Sequence, residues 1–210
     1  IGFVFESYGK RKHRIMNRAW TARTTPTLDR FGTDYTDMAR GGEIGFLIGH
    51  NNEYQRLMET LSRPINPNAL LVGEVGVGKE AIVAHAAFDL ARDNVPKALS
   101  DKRLVALHLS TLVAGASPDQ LHLRLQQILF EIVSAGNIIV YVPDIHNLVS
   151  TSGTAYLSAA DALMPVIMNN AFPIIGGTYP MEFKKSLEPR SDFVGLFEVI
   201  RVQEVSTSDA

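Results

Sequence analysis

Cysteine is absent from this 210-residue chain. Disulfides and thiolate-held metals are therefore excluded, and the composition fits a reducing compartment, with the cytoplasm as the default expectation. Long apolar runs are lacking too: none approaches the roughly 20 residues a membrane-spanning helix needs, and no complete signal peptide is present. Positive charge is not in excess, with 20 Lys and Arg against 22 Asp and Glu and a formal net charge of -2. Without the basic field that nucleic-acid binders carry, no DNA or RNA partner is expected. What the chain does have is 46% hydrophobic residues, enough to fill the core of one domain of this length.

Charge is unevenly spread. The stretch "ESYGKRKHRIMNRAWTAR" holds Lys10, Arg11, Lys12, Arg14, Arg18 and Arg23 against one acid, Glu6. Ahead of it stands "IGFVF", and the chain begins at Ile1 rather than Met, which leads to the expectation of a piece of a longer protein. Two readings of this start stand side by side. The preferred one is a solvated basic helix or arm that packs Phe3, Phe5 and Trp20 on a neighbour. The other is a juxtamembrane segment, whose basic residues would contact anionic lipid at the cytoplasmic face. The following "TARTTPTLDRFG" reads as linker, so the expected organisation is an extension over 1–30, one domain over 31–205 and a tail over 206–210.

From Phe31 onward, helical and strand patterns alternate, as they do in an α/β fold with a central parallel sheet. "NNEYQRLMETLS" spaces Tyr54, Leu57, Met58 and Leu61 as one helical face behind an Asn cap. "NALLVGE" is a short buried strand, and "KEAIVAHAAFDLARD" a helix with Ile82, Val83, Ala86 and Leu90 on one side. "KRLVALHLSTLVAGA" supplies a second strand. "SPDQLHLRLQQILFEIVSAG" is a helix that Gly136 stops, and "NIIVYVPDIH" is a third strand. In "SGTAYLSAADALMPVIMNN", Met164, Ile167 and Met168 read as core, with Pro165 bending or ending the helix.

Between the first strand and its helix lies "GEVGVGKE", residues 73–80. It meets the phosphate-loop pattern G-x-x-x-x-G-K-[ST] at Gly73, Gly78 and Lys79, but places Glu80 where a hydroxyl is required. Glycines let successive backbone N–H groups of Glu74, Val75, Gly76, Val77 and Gly78 turn inward, and the helix behind them points its positive end at phosphate. Lys79 would reach the terminal phosphates as a point charge. The bland alternative is a strand-to-helix turn, in which Glu80 complements the helix dipole.

These segments together resemble the first ATPase module of the Clp family of AAA+ unfoldases and disaggregases. "DRFGTDYTDMARGGEIGFLIGHNNEYQRLMETLSR", "NALLVGEVGVGKEAIV", "NVPKALSDKRLVALHLSTLVAGA", "GNIIVYVPDIHNLV" and "FPIIGGTYPMEFKK" follow in family order and near family spacing. The resemblance implies a P-loop NTPase fold of three layers, lacking the small helical lid after "EVIRVQEVSTSDA". It implies ATP or ADP as ligand, with Mg beside it, and other AAA+ subunits or domains of a larger chain as partners. It also puts Ile48 and Gly49, in the turn Ile48-Gly49-His50, at the adenine pocket.

The departures fall on the positions to which the resemblance assigns chemistry. Glu80 replaces a threonine, and Pro143-Asp144 replaces an Asp-Glu pair whose first member holds magnesium and whose second polarises water. Asp144 is shorter than glutamate, and moving a water-activating carboxylate by about 1 Å can cost roughly a hundredfold in rate. Gly195 and Leu196 stand where two trans-acting arginines belong, and Ser117 and Pro118 stand where a pore aromatic belongs. Thr178, aligned with the polar sensor, and Lys79 are kept. The expectation is a nucleotide-binding module with little or no hydrolysis. Two alternatives stay open: an active ATPase that has moved its magnesium carboxylate to Glu80, and a scaffold that binds no nucleotide. His108, His122 and His146 have no metal-ligand spacing and read as packing or solvent histidines. Asp161 and Arg190 are a candidate ion pair.

Overall fold

Four consecutive apolar residues, Ala69–Val72, form a strand buried along its whole length (β2), and Ile138–Val142 (β4) and Ile174–Thr178 (β5) are buried in the same way. Runs of this kind need cover on both faces of a sheet. The computed structural model describes residues 24–45, 47, 49–150 and 159–204, and in it the cover is present. The basic stretch up to Arg23, Ile48 and the tail from 205 lie outside the described residues.

The sheet has six strands in the order β1-β3-β4-β5-β2-β6, with β1 at Gly32–Asp34, β3 at Arg103–Leu107 and β6 at Glu198–Arg201. All neighbours pair in parallel except β1, which runs antiparallel to β3 at the edge. Alternation along the strands sends side chains to two cores. Leu70, Val72, Ile138, Val140 and Val142 face one, while Ala69, Leu71, Ile139 and Tyr141 face the other.

The second core is roofed by α3 (Asn51–Leu61) and α4 (Lys79–Arg92), the first by α6 (Pro118–Ala135) and α8 (Ala159–Met168). The layers are thus α/β/α. Shorter helices complete the chain: α1 (Pro26–Phe31), α2 (Tyr35–Gly41), α5 (Leu109–Val113), α7 (His146–Ser150), α9 (Pro180–Glu182, running into a π turn at Phe183–Leu187) and α10 (Ser191–Val194). No helix among the described residues is long and apolar enough to cross a membrane.

Several expectations are corrected. The stretch read as linker is helical from Pro26, because Leu28 is fully buried and the amides of Thr27 and Leu28 donate to the carboxylate of Glu131 on α6. A carboxylate from a neighbouring helix thus caps α1. The N-cap of α3 is His50 in a left-handed conformation, not an asparagine, and no side chain caps it. Met168 is 59% exposed, so it is not core. Pro165 does not end α8, which runs three residues further.

Ser117 and Pro118, at the expected pore position, serve the local fold. Ser117 forms a reciprocal capping box with Gln120, and a proline opens α6. Asp161 and Arg190 do pair, at 2.7 Å.

Candidate functional site

In an open parallel sheet, ligands bind beyond the carboxyl ends of the strands. Here β2 ends at Val72 and passes into residues 73–78, β4 ends at Val142 before Pro143-Asp144, and β5 ends at Thr178. The register pairs Val72 with Thr178, which brings the loop and the sensor position side by side. The Pro143-Asp144 strand does not border the loop strand, because β5 lies between β4 and β2.

The loop itself is built as its glycines require. Gly76 and Gly78 have φ of 80° and 106°, in the left-handed region that side chains disfavour, and a Cβ on Gly76 would meet nothing within 4 Å. Glu74 and Val75 are exposed, Val75 at 79%, while Val77 is buried as an anchor into the second core. Behind Gly78 stands His50, whose side chain is nearly buried and whose Nε2 would lie 2.8 Å from a Cβ at that position. Gly49 and His50, both at positive φ, thus lead the turn of the expected adenine pocket up against the phosphate loop. The third member of that turn, Ile48, lies outside the described residues.

Lys79 opens α4. Its Nζ donates to the carbonyls of Gly73 and Glu74, each at 2.7 Å, and lies 4.6 Å from the centre of the Tyr179 ring. Burial holds this ammonium below its ordinary range, against the opposing pull of Glu74, Asp144 and Glu80. Glu80 is exposed on the first turn of α4. Its charge also helps to raise the buried Tyr141 phenol, on which burial acts more strongly.

Across the crevice, the charge of Asp144 is the largest cause that raises the Tyr179 phenol above its ordinary value. Thr178 is fully buried, its Oγ1 3.1 Å from Nδ1 of His146. The two strand ends are pressed together: a Cβ on Gly177 would stand 2.4 Å from the Pro143 carbonyl, so no larger residue fits. Gly195 is exposed and Leu196 packs against the first core.

The structure therefore brings Lys79, Glu80, Asp144 and Thr178 to one crevice. Tyr179 and His146 join them, although no motif position points to either. The one sequence signal for Tyr179 is its position directly after Thr178; His146, expected as a packing or solvent residue, stands against Thr178.

The loop geometry fits phosphate, since the space before Gly76 is open and the N-terminus of a 14-residue helix lies behind it. The oxygen donors of Glu80 and Asp144 are of the kind a hard divalent cation takes. Among the described residues, however, no group of three or more His, Asp or Glu could hold a metal unaided.

No protein-family model matches the chain. Individual proteins do. Over 194 residues, 91% of its length, it is 34% identical to the ATP-dependent Clp protease ATP-binding subunit ClpC of Staphylococcus aureus. The same subunit of Staphylococcus epidermidis is 34% identical over 190 residues. Among solved structures, the Hsp104–ADP complex of S. cerevisiae superposes with a TM-score of 0.78 at 31% identity over 87% of the chain. A closed-state Hsp104 with ATPγS and FITC casein gives 0.79 at 30% identity. The chain spans about a quarter of the length of these curated relatives, 24% of the S. aureus subunit. Aligned along nine-tenths of its length and sharing the three-layer fold, the chain belongs to the Clp family of AAA+ ATPases.

Proposed function

We propose that this module binds ATP or ADP in the cradle of residues 73–80 and hydrolyses it slowly or not at all, in a regulatory or assembly role within a larger Clp-like protein. The observation that carries the reading is the state of the β4 end. Pro143 has no carboxylate to offer, and Asp144 beside it is one methylene shorter than the glutamate expected there. In this reading, the backbone N–H groups of 74–78 and Lys79 hold the phosphates, and the turn at Ile48 and Gly49 meets the base. Magnesium, where bound, would neutralise the charge that develops on the phosphates. The domain over 31–205 would contact neighbouring AAA+ subunits or domains. The basic start of the chain would serve as an arm or touch the cytoplasmic face of a membrane.

Calorimetric titration with ATP, with and without magnesium, together with a steady-state phosphate-release assay, tests the proposal. Binding that weakens at least about tenfold in Lys79→Ala, with negligible turnover, is the expected outcome. Turnover comparable to that of active family members, abolished by Lys79→Ala, would overturn it. A second reading, an active ATPase with a rearranged magnesium site, draws on the exposed carboxylate of Glu80 directly beside Lys79. The absence of any nucleotide binding would favour the third, a scaffold.

A further inference from the structure

Tyr179 is the first residue beyond β5, and its side chain is shared among three other parts of the chain. The ring centre lies 4.6 Å from Nζ of Lys79, at the head of α4. The charge of Asp144, at the end of β4, is the largest cause that holds the phenol above its ordinary value. The ring also leans, at 5.9 Å and 58°, on the imidazole of His146, which itself holds Thr178. An aromatic face attracts an ammonium, and the neighbouring imidazole supports the ring in that position.

The backbone fixes where the phenol stands. Tyr179 is extended, Pro180 follows at the start of α9, and the Phe183 amide donates to the Tyr179 carbonyl at 2.8 Å. The short helix then passes into the π turn at Phe183–Leu187, a feature rare in helices and frequent beside functional sites. Releasing the ring requires rotation about the side chain alone, with no change in the sheet.

We propose that Tyr179 is an internal latch on the phosphate crevice: its ring retains the Lys79 ammonium, so that an incoming phosphate group must displace it. The competing role rests on the nucleotide-binding reading above; the latch contacts themselves do not. Tyr179 acts through Lys79 and is a positioning residue. The ligand it excludes is the terminal phosphate of a nucleotide, since that is the group Lys79 would meet.

The experiment has a nucleotide-free arm and a nucleotide arm. In the first, lysines of the intact chain are acylated by a trace of amine-reactive ester and quantified individually by mass spectrometry, with the remote Lys97 as internal reference. Loss of a ring–ammonium contact should raise Lys79 labelling relative to Lys97 by about two- to fivefold in Tyr179→Ala. Tyr179→Phe, which keeps the ring, should label like the parent. In the second arm, calorimetry should show ATP binding tightened by about tenfold in Tyr179→Ala and unchanged in Tyr179→Phe, which keeps the ring.

Unchanged Lys79 labelling in a folded Tyr179→Ala protein overturns the latch, whatever the nucleotide does. Raised labelling with weaker ATP binding also overturns it. Raised labelling with no ATP binding by any variant supports the latch contacts and overturns the nucleotide reading instead. Should Tyr179→Ala fail to fold, so that all lysines label together, Tyr179→Leu, which keeps bulk but has no aromatic face, decides: tighter ATP binding supports the latch and unchanged binding overturns it.

Discussion

Glu80 makes opposite demands under the two enzymological readings, so a single substitution divides them. Its carboxylate stands on the first turn of α4, exposed and next to Lys79. There it complements the helix dipole and adds to the negative charge facing that ammonium. If it serves only the fold, it repels phosphate, and Glu80→Thr should strengthen ATP binding, which is the expected result. If it is a relocated magnesium ligand, the same change should lower magnesium-dependent affinity. Calorimetry on both proteins, with and without magnesium, reads the sign directly. Gly78 offers a second test at this scale. Its φ of 106° and the nearness of His50 Nε2 predict that Gly78→Ala destabilises the fold by about 1–2 kcal/mol. Adding His50→Ala should recover only the steric part in thermal denaturation, since the backbone strain remains.

At the scale of the element, α1 depends on a partner that lies far away in sequence. Burial opposes the Glu131 charge, but hydrogen bonds from Thr27, Leu28 and Gln127 outweigh it and hold the carboxyl below its ordinary value of 4.5. Glu131→Ala would leave the amides of Thr27 and Leu28 without that acceptor and should cost about 2–4 kcal/mol in urea denaturation. Because the folded pKa is depressed, this stabilisation is full above about 4.5 and is lost as pH falls through the folded value. Stability measured from pH 6 downward should therefore converge between the parent and Glu131→Gln. A constant gap would refute the assignment.

The same contact explains what the sequence left hidden. The buried strands and the loop-to-helix junction were legible because apolar runs and glycines are local signals, and Lys79, Glu80, Asp144 and Thr178 were legible through their motif positions. Helix α1 was not, since its cap lies about a hundred residues on. Strand β1 is only three residues long and carries no periodicity. The intervening position of β5, which separates the Asp144 strand from the loop strand, is a matter of pairing and leaves no trace in either segment. Tyr179 carries only the signal of standing directly after Thr178, because its role exists only where separate chain segments meet.

At the scale of the whole molecule, the question is whether this module assembles by itself. Gly195 and Leu196 stand where the resemblance leads one to expect trans-acting arginines. The nearby Arg190 is already committed, its guanidinium bridged to Asp161 at 2.7 Å and to Asp192 at 3.0 Å. One helix does present apolar residues outward: Leu123 and Phe130 on α6 are 63% and 66% exposed, with Val133 beside them. A lasting interface needs roughly 800 Å² from each partner, and a few side chains on one helix supply only part of that. A net charge of -2 neither drives nor strongly opposes self-association. The module should therefore sediment as a monomer at micromolar concentration, with or without ATP. Phe130→Asp should leave its sedimentation coefficient unchanged. A stable hexamer under these conditions would mean that the surfaces around Gly195 or α6 assemble without the expected arginines, and the proposed dependence on neighbouring AAA+ modules would fall with it.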